Sequence, residues 1–449
     1  TDIMEINFMN GDVIMKISFI GAGSVSFTTA VLCDLTTYPA FNDAEICLMD
    51  IDEYHLDKVR ECVERIKRDR KVNIKITATT SREEALTGAD GVVITVFNGD
   101  VDIWQHEIII PKKYGVDINV GDTRSVSGIF RALRNIPLML DICKDIERIC
   151  PKAVVLNYTN PMSMLCKAMQ TYTNVDVTGL CHSVQGTSRM LAEWADADYK
   201  DVTYTCAGIN HMAFFLELKC NGKDLYPILR EKIKDKKYYN QEKVRNEIFK
   251  TFGYYVTESS GHNSEYTPWF RKRPDLIRKF CNGEGANWNP GEYAFSLNLR
   301  KDPNRFDNRV KDFMNEPIPE ERTREYAANI LNARLGDYTP FQFNANIINN
   351  GCVENLPYDA CVEIPVTATK DGYERNFQGK LPDAVAVMVN QTAGIENLVV
   401  DAWKEKSKDK VYQAVSLDPL CSAVLSLEEI KEMCDELFEV NKDYLGDYK

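Results

Sequence analysis

The sequence predicts an α/β fold, a doubly wound parallel sheet in the first half followed by a C-terminal α+β domain. Three observations carry this. A short apolar strand enters a glycine turn and then a helix over residues 15–35. Strand-like and helix-like runs then alternate to about residue 200, the pattern of a parallel sheet wrapped on both faces. Beyond that point residues 204–218 and 361–368 read as strands of a more antiparallel type, with helices over 322–334 and 425–438.

The elements justify this in order. Met15-Lys16-Ile17-Ser18-Phe19-Ile20 is apolar and partly β-branched, and ends at Gly21-Ala22-Gly23-Ser24. Val31, Leu32 and Leu35 give the next stretch a helical spacing. Residues 44–50 form a second buried strand ending at Asp50. Strand, glycine turn, helix, strand and acid in this order make a dinucleotide-binding, Rossmann-like fingerprint. Gly21 permits the tight turn, and Gly23 lets backbone approach a pyrophosphate. The helix behind Ser24 presents its free N–H groups to the phosphates. Asp50 suits the ribose hydroxyls of NAD and disfavours a 2′-phosphate. Ser26 stands where the third glycine of the motif is expected.

A charged helix over 57–70, a strand over 74–78 and a short helix over 83–86 follow. Residues 91–97 are a buried strand ending at Asn98-Gly99, 129–149 a long amphipathic helix, and 153–158 a strand before Thr159-Asn160-Pro161. Residues 175–180 are a further strand, ending at Cys181. Asp50, Asn98, Asn160 and Cys181 thus all follow strand C-termini, where such sheets bind ligands. Residues 282–292 read as a Gly/Asn/Pro-rich loop.

Composition narrows the function. At 449 residues, two or three domains are expected. A net charge of −13 argues against a nucleic-acid partner, which needs a basic face. No apolar run reaches the length of a membrane span. Asp2 and Glu5 stand where a secretory signal would be basic. The 14 cysteines lack any framework spacing, which points to free thiols in the cytoplasm.

Two stretches carry the chemistry, Gly179-Leu180-Cys181-His182-Ser183-Val184 and Ala207-Gly208-Ile209-Asn210-His211-Met212. Each places a metal-capable side chain just past a strand. Cys and His suit Mn, Fe, Co, Ni or Zn. Two protein ligands leave positions open, as catalysis requires. Read alone, Cys181 is equally a small core residue.

These residues resemble glycoside hydrolase family four, the NAD- and divalent-metal-dependent glycosidases, over most of the chain from Ile17 to about Leu437. The resemblance rests on Phe19-Ile20-Gly21-Ala22-Gly23-Ser24, Leu48-Met49-Asp50-Ile51-Asp52, Asn157-Tyr158-Thr159-Asn160-Pro161-Met162 and the two stretches above. Asn355-Leu356-Pro357 and Val362-Glu363-Ile364-Pro365 also fit. Cys181-His182-Ser183-Val184 is similar to the α-galactosidase branch. So are the stretches Thr257-Glu258-Ser259-Ser260 and Glu265-Tyr266-Thr267-Pro268-Trp269-Phe270.

The resemblance implies a lactate/malate dehydrogenase-like first half. It divides the chain into an N-terminal extension (1–14), an NAD-binding domain (15–200) and a substrate, metal and oligomerisation domain (201–449). It implies NAD and a divalent metal, Mn above all, with Gly21, Gly23, Ser24, Asp50, Asn98 and Asn160 toward NAD and Cys181 and His211 on the metal. Tyr266 becomes the base at C2 of the sugar. His182 is either the acid for the leaving group or a contact to a sugar hydroxyl. Asp122 and Asn160 bind substrate. His262 is placed near Tyr266, and His55 and His106 have weaker claims. The expected activity is α-galactoside hydrolysis on small unphosphorylated substrates, by C3 oxidation, C2 deprotonation and elimination, in a homodimer or homotetramer. Alternatives are an α-glucuronidase, α-galacturonidase or α-glucosidase, a 2-hydroxy-acid dehydrogenase, and a non-catalytic NAD sensor. One departure stands out: Asp122-Thr123 is followed by Arg124-Ser125-Val126-Ser127-Gly128 instead of a Gly-Pro-Gly-Gly loop. Arg124 is expected to be a solvated surface residue or a carboxylate ligand.

Overall fold

The computed structural model describes residues 14–283, 286, 289–323 and 325–449. The expected extension over 1–14 lies outside them except for Ile14. So do positions 284–285 and 287–288 of the loop read at 282–292, and position 324 of the helix read at 322–334.

Six strands form the parallel part of the sheet: β1 (Lys16–Ile20), β2 (Glu45–Met49), β3 (Lys75–Thr79), β4 (Gly91–Ile94), β5 (Val154–Asn157) and β6 (Val177–Gly179). They lie side by side as β3-β2-β1-β4-β5-β6, all parallel. Helices cover both faces, so the central strands are buried nearly end to end and read as continuous apolar runs. The period of two sorts them. Phe19, Leu48 and Val93 enter one core, while Ile20, Met49, Val92 and Ile94 enter the other. The Ser18 hydroxyl donates to the Ala85 carbonyl at 2.6 Å, which satisfies a polar group buried in β1.

Strand order reverses between β1 and β4, the point where sheets of this kind open a crevice. Gly21, at φ +85°, turns the chain there. A Cβ on it would meet the Thr95 carbonyl oxygen at 2.5 Å, so only glycine fits.

The remaining strands are β7 (Val202–Ile209), β8 (Met212–Cys220), β9 (Lys223–Asp224), β10 (Tyr255–Val256), β11 (Phe341–Ile348), β12 (Cys361–Thr369) and β13 (Gly372–Arg375). They continue the same sheet, antiparallel, in the order β10-β8-β7-β12-β11-β6. Its 13 strands therefore run across residue 200 without a break. Asn346 on β11 stands opposite Gly179 on β6, and Glu363 on β12 opposite Gly208 on β7. Residues 204–218 resolve into the β7–β8 hairpin, turned at Asn210-His211.

Two helices that periodicity did not single out also shape the site. Val101–Lys113 starts at Asp100, whose carboxylate accepts the Ile103 N–H at 2.8 Å. Asp383–Glu405 packs on the helices Ser125–Ile149 and Met162–Tyr172. The former begins four residues earlier than the periodicity of 129–149 implies, directly after the Asp122-Thr123-Arg124 loop. Among the described residues no helix is long and apolar enough to cross a membrane.

Candidate active site

A cleft of about 780 Å³ opens at the β1/β4 reversal. Gly21, Gly23, Ser24 and Asp50 line it, together with Thr95, Val96 and His55. Asp50 turns back onto the glycine turn. One carboxylate oxygen accepts the Gly23 N–H at 2.7 Å and the other the Asp52 N–H at 3.0 Å. The Gly23 contact leaves no room for a side chain, since a Cβ there would lie 2.7 Å from Asp50 Oδ2.

A second cluster sits past β6 and the β7–β8 turn. Cys181 Sγ, a nitrogen of His211 and a carboxylate oxygen of Glu258 all lie within 4.8 Å of one another, and all three residues are buried. Three donor atoms gathered this closely form the protein side of an open cation site. A thiolate, an imidazole and a carboxylate together suit a borderline dication. His211 and Glu258 are both left-handed, at φ +61° and +63°. Such backbone costs about 1–3 kcal/mol per non-glycine residue and gathers at functional sites.

The electrostatics of these donors follow from burial and from one another. Burial pushes His211 down to about 4, which keeps its imidazole neutral and able to ligate. Burial raises Glu258, but His262, His211 and His182 outweigh it and hold the carboxyl below its usual range. Burial drives the Cys181 thiol well up, with Glu363 and Glu258 adding to the effect. A dication is what would favour its thiolate.

Tyr266 lies beside this cluster, its hydroxyl 3.3 Å from His211 Nδ1. Burial pushes its phenol far up, Asp122 and Glu265 push the same way, and Arg124 opposes them. Arg124 is buried, contrary to the expectation of a solvated residue. Its guanidinium donates to the Asn210 carbonyl, pairs with Glu396 at 3.2 Å and stands 4.8 Å over the Tyr266 ring. His262 bridges the groups around it. Its Nδ1 is 3.3 Å from Glu258 and its Nε2 3.9 Å from Asp122. Asp122 Oδ2 in turn lies 3.5 Å from the Asn160 amide. The Asn160 carbonyl accepts from Asn135, and Asn135 Oδ1 accepts the Asn98 N–H at 3.1 Å. A polar chain therefore runs from the end of β4 to the three donors.

Some expected residues are placed differently. The Asn98 side chain is taken by the Arg134 carbonyl at 2.7 Å. His182 is more than half exposed, 3.7 Å from Glu325. His55 stacks on Phe306 with ring centroids 3.8 Å apart. His106 is exposed on its helix. Glu265, next to Tyr266, accepts the N–H groups of Asn119, Val120 and Gly121 at 2.7, 3.0 and 2.9 Å, so both its oxygens are occupied and it is not free to act as a base. Sequence reasoning did not single out Glu258 as a donor. Its signal was an acid eight residues before Tyr266, in an otherwise Ser/Thr stretch. Glu363 was likewise missed; Asn210 reaches it at 3.5 Å.

Two models of one family match the chain, that of family 4 glycosyl hydrolases over residues 16–197 and that of the family's C-terminal domain over 206–421. An α-galactosidase of Bacillus subtilis is 37% identical over 97% of this chain and 100% of its own length. An α-galactosidase of Rhizobium meliloti is 36% identical over 96% of this chain and 89% of its own. The same architecture occurs in a 6-phospho-α-glucosidase from gut microorganisms, solved in complex with NAD and Mn2+. It has a TM-score of 0.80 and 20% identity, covering 97% of this chain and 100% of that one. That likeness is one of fold. Both halves of the single sheet carry the same family's signature, and the chain belongs to glycosyl hydrolase family 4.

Proposed function

We propose that this glycosidase is an NAD- and divalent-metal-dependent α-galactosidase acting on small unphosphorylated α-galactosides. The observation that carries the reading is the Cys181/His211/Glu258 cluster with the Tyr266 hydroxyl 3.3 Å from His211, reached by a polar chain from the cleft. The two α-galactosidases at 36–37% identity support the choice of sugar.

Cys181, His211 and Glu258 would hold the metal, Mn by preference. Gly21, Gly23, Ser24 and Asp50 would hold NAD, with Asn160 toward its nicotinamide end. Asn98 would position rather than touch NAD, since its N–H is held by Asn135 and both its carbonyl and its side-chain amide by Arg134. When bound, NAD supplies a reversible hydride acceptor for C3 of the sugar, and the metal a Lewis acid for the oxygens on C2 and C3. Oxidation at C3 would acidify the C2 proton, and the Tyr266 oxygen, held as phenolate by the charge of a bound dication, would remove it. The C1–aglycone bond then breaks with the electron pair leaving on the aglycone oxygen. His182, its ring open to solvent and close to Glu325, protonates that oxygen or holds a sugar hydroxyl. Asp122 and Asn160 bind sugar hydroxyls. Water adds at C1, a proton exchanged with solvent returns to C2 from Tyr266, and the hydride would return to C3, so the sugar leaves with no net oxidation.

Arg124 bears on the alternatives. Its charge is paired with Glu396, 3.2 Å away, while its Nε and Nη1 find no hydrogen-bond partner among the described residues. The choice of a neutral sugar therefore rests on the two α-galactosidase relatives. The 14 free cysteines fit a cytoplasmic enzyme, and a homodimer or homotetramer is the assembly we infer.

A panel of nitrophenyl α-glycosides, run with NAD, Mn2+ and a thiol reductant in heavy water, tests the proposal. The α-galactoside should be cleaved, and the released galactose should carry deuterium at C2. Retention of the original C2 hydrogen would falsify the elimination route, and preference for a uronide would overturn the sugar assignment.

A further inference from the structure

The cofactor cleft is lined from both halves of the chain. Arg300, Arg305 and Arg309 border it opposite Gly21, Gly23 and Asp50. They come from the helices Phe295–Arg300 and Arg305–Asn315, which belong to the second half and lie far from the fingerprint in sequence. The helical pair is tied to the fingerprint elements at three points. Arg309 donates to the Ser26 hydroxyl, at the position where the third glycine was expected. The Tyr54 hydroxyl donates to Asp307 at 2.8 Å. Phe306 lies over the His55 ring.

Asp122 acts on Arg300 and Asp312 on Arg309, but neither forms a direct ion pair with it among the described residues. Among the described residues none of the three guanidinium groups is ion-paired with a carboxylate, and apart from the Arg309–Ser26 contact their side chains make no hydrogen bond. The carboxylates that line the cleft are turned onto backbone N–H groups instead. Asp50 accepts from Gly23, Asp52 from His55, Asp100 from Ile103 and Asp302 from Asn304. Burial lowers Arg309, with Arg305 and Arg300 adding to it and Asp312 opposing, and burial lowers Arg300 against the pull of Asp122, with Arg305 adding to it. In a chain of net charge −13, a cluster of arginines without a direct ion pair around a cavity calls for an anion. The glycine turn and the N-terminus of helix Val25–Leu35 share that cavity and favour phosphate.

We propose that Arg300, Arg305 and Arg309 cover the bound dinucleotide and neutralise its pyrophosphate, so that the second half of the chain completes the cofactor site. This rests on the NAD reading above. Ser26 then has a role that a glycine would not fill, since its hydroxyl anchors Arg309.

Calorimetric titration of the full chain with NAD, ADP-ribose, adenosine and NADP tests this. It compares wild type with the double variants Arg305→Gln/Arg309→Gln and Arg305→Lys/Arg309→Lys, each checked for an unchanged melting temperature. The Gln pair should weaken NAD and ADP-ribose by about tenfold or more, as loss of charge-assisted phosphate contacts implies. It should leave adenosine within about twofold and flatten the salt dependence of NAD binding. The Lys pair should stay near wild type. Unchanged NAD affinity in the Gln pair, or an equal loss for adenosine, overturns the proposal while leaving the NAD reading intact. A loss confined to NADP would reassign the arginines to a 2′-phosphate and also overturn it. A wild-type chain that binds no NAD overturns both.

Discussion

Glu258 is the residue whose role depends most on its surroundings. Exposed, it would be an ordinary acid; here it stands between two histidines and a thiol. Glu258→Gln keeps its size and removes its charge. Metal affinity should fall by at least the roughly 10–100-fold seen when a ligand loses a hydrogen-bond partner. Equilibrium dialysis with Mn2+ reads this, and Cys181→Ser should behave alike. Tyr266→Phe separates chemistry from packing, because the ring still fits under Arg124. Turnover should drop by about 10²–10⁴-fold with metal stoichiometry unchanged. Near wild-type turnover would remove Tyr266 as the base. Glu363 supplies a pH signature. Burial pushes its carboxyl up to about 8, against Asn210 and Arg124, from an ordinary value of 4.5. The folded state therefore binds this proton more tightly than the unfolded chain does. Its contribution to stability is whole below pH 4.5 and is lost as pH rises through about 8. Glu363→Gln removes that titration, so in chelator its melting temperature should fall less between about pH 5 and 8 than that of wild type.

Short elements hold these residues in place. The β7–β8 turn places His211, helix Ser183–Trp194 begins just after Cys181, and helix Ser260–Tyr266 carries His262 and Tyr266. Glu265 latches that last helix to backbone 119–121, which leads into Asp122. Glu265→Gln should therefore loosen a loop rather than remove a base. We expect a loss on the order of 1.5–3 kcal/mol, the value of one hydrogen bond to a charged group. Amide exchange at Asn119–Gly121 should quicken, and KM should rise more than kcat falls. A fall in kcat alone would contradict the latch. The strands and the helix after Gly23 were legible in sequence because apolar periodicity and glycine turns are local signals. The latch was not, because Glu265 and Asn119 are far apart in sequence and a pairing over that distance leaves no local pattern.

The single sheet joins the cleft at the glycine turn to the metal-capable cluster, so ligands on one part should stabilise the whole. NAD at about 100 times its Kd should add about 2.7 kcal/mol and raise the melting temperature, with a further rise on adding Mn2+. A shift from neither ligand would contradict both sites. The sequence alone determined the fold class, the glycine turn at Gly21 and Gly23, and the candidates Cys181, His211 and Tyr266. Each of these sits in a motif only a few residues long, where local geometry is set by neighbours in the chain. Only the tertiary structure decided that Glu258 joins Cys181 and His211, that Arg124 is buried against Glu396, and that the arginines of 300–309 border the cleft. These residues meet because β11 and β12 insert between β6 and β7, and because helix Arg305–Asn315 folds back onto the helices Val25–Leu35 and Glu53–Arg70. Contacts of that kind arise from burying apolar faces across the whole chain, and no short stretch of sequence encodes them.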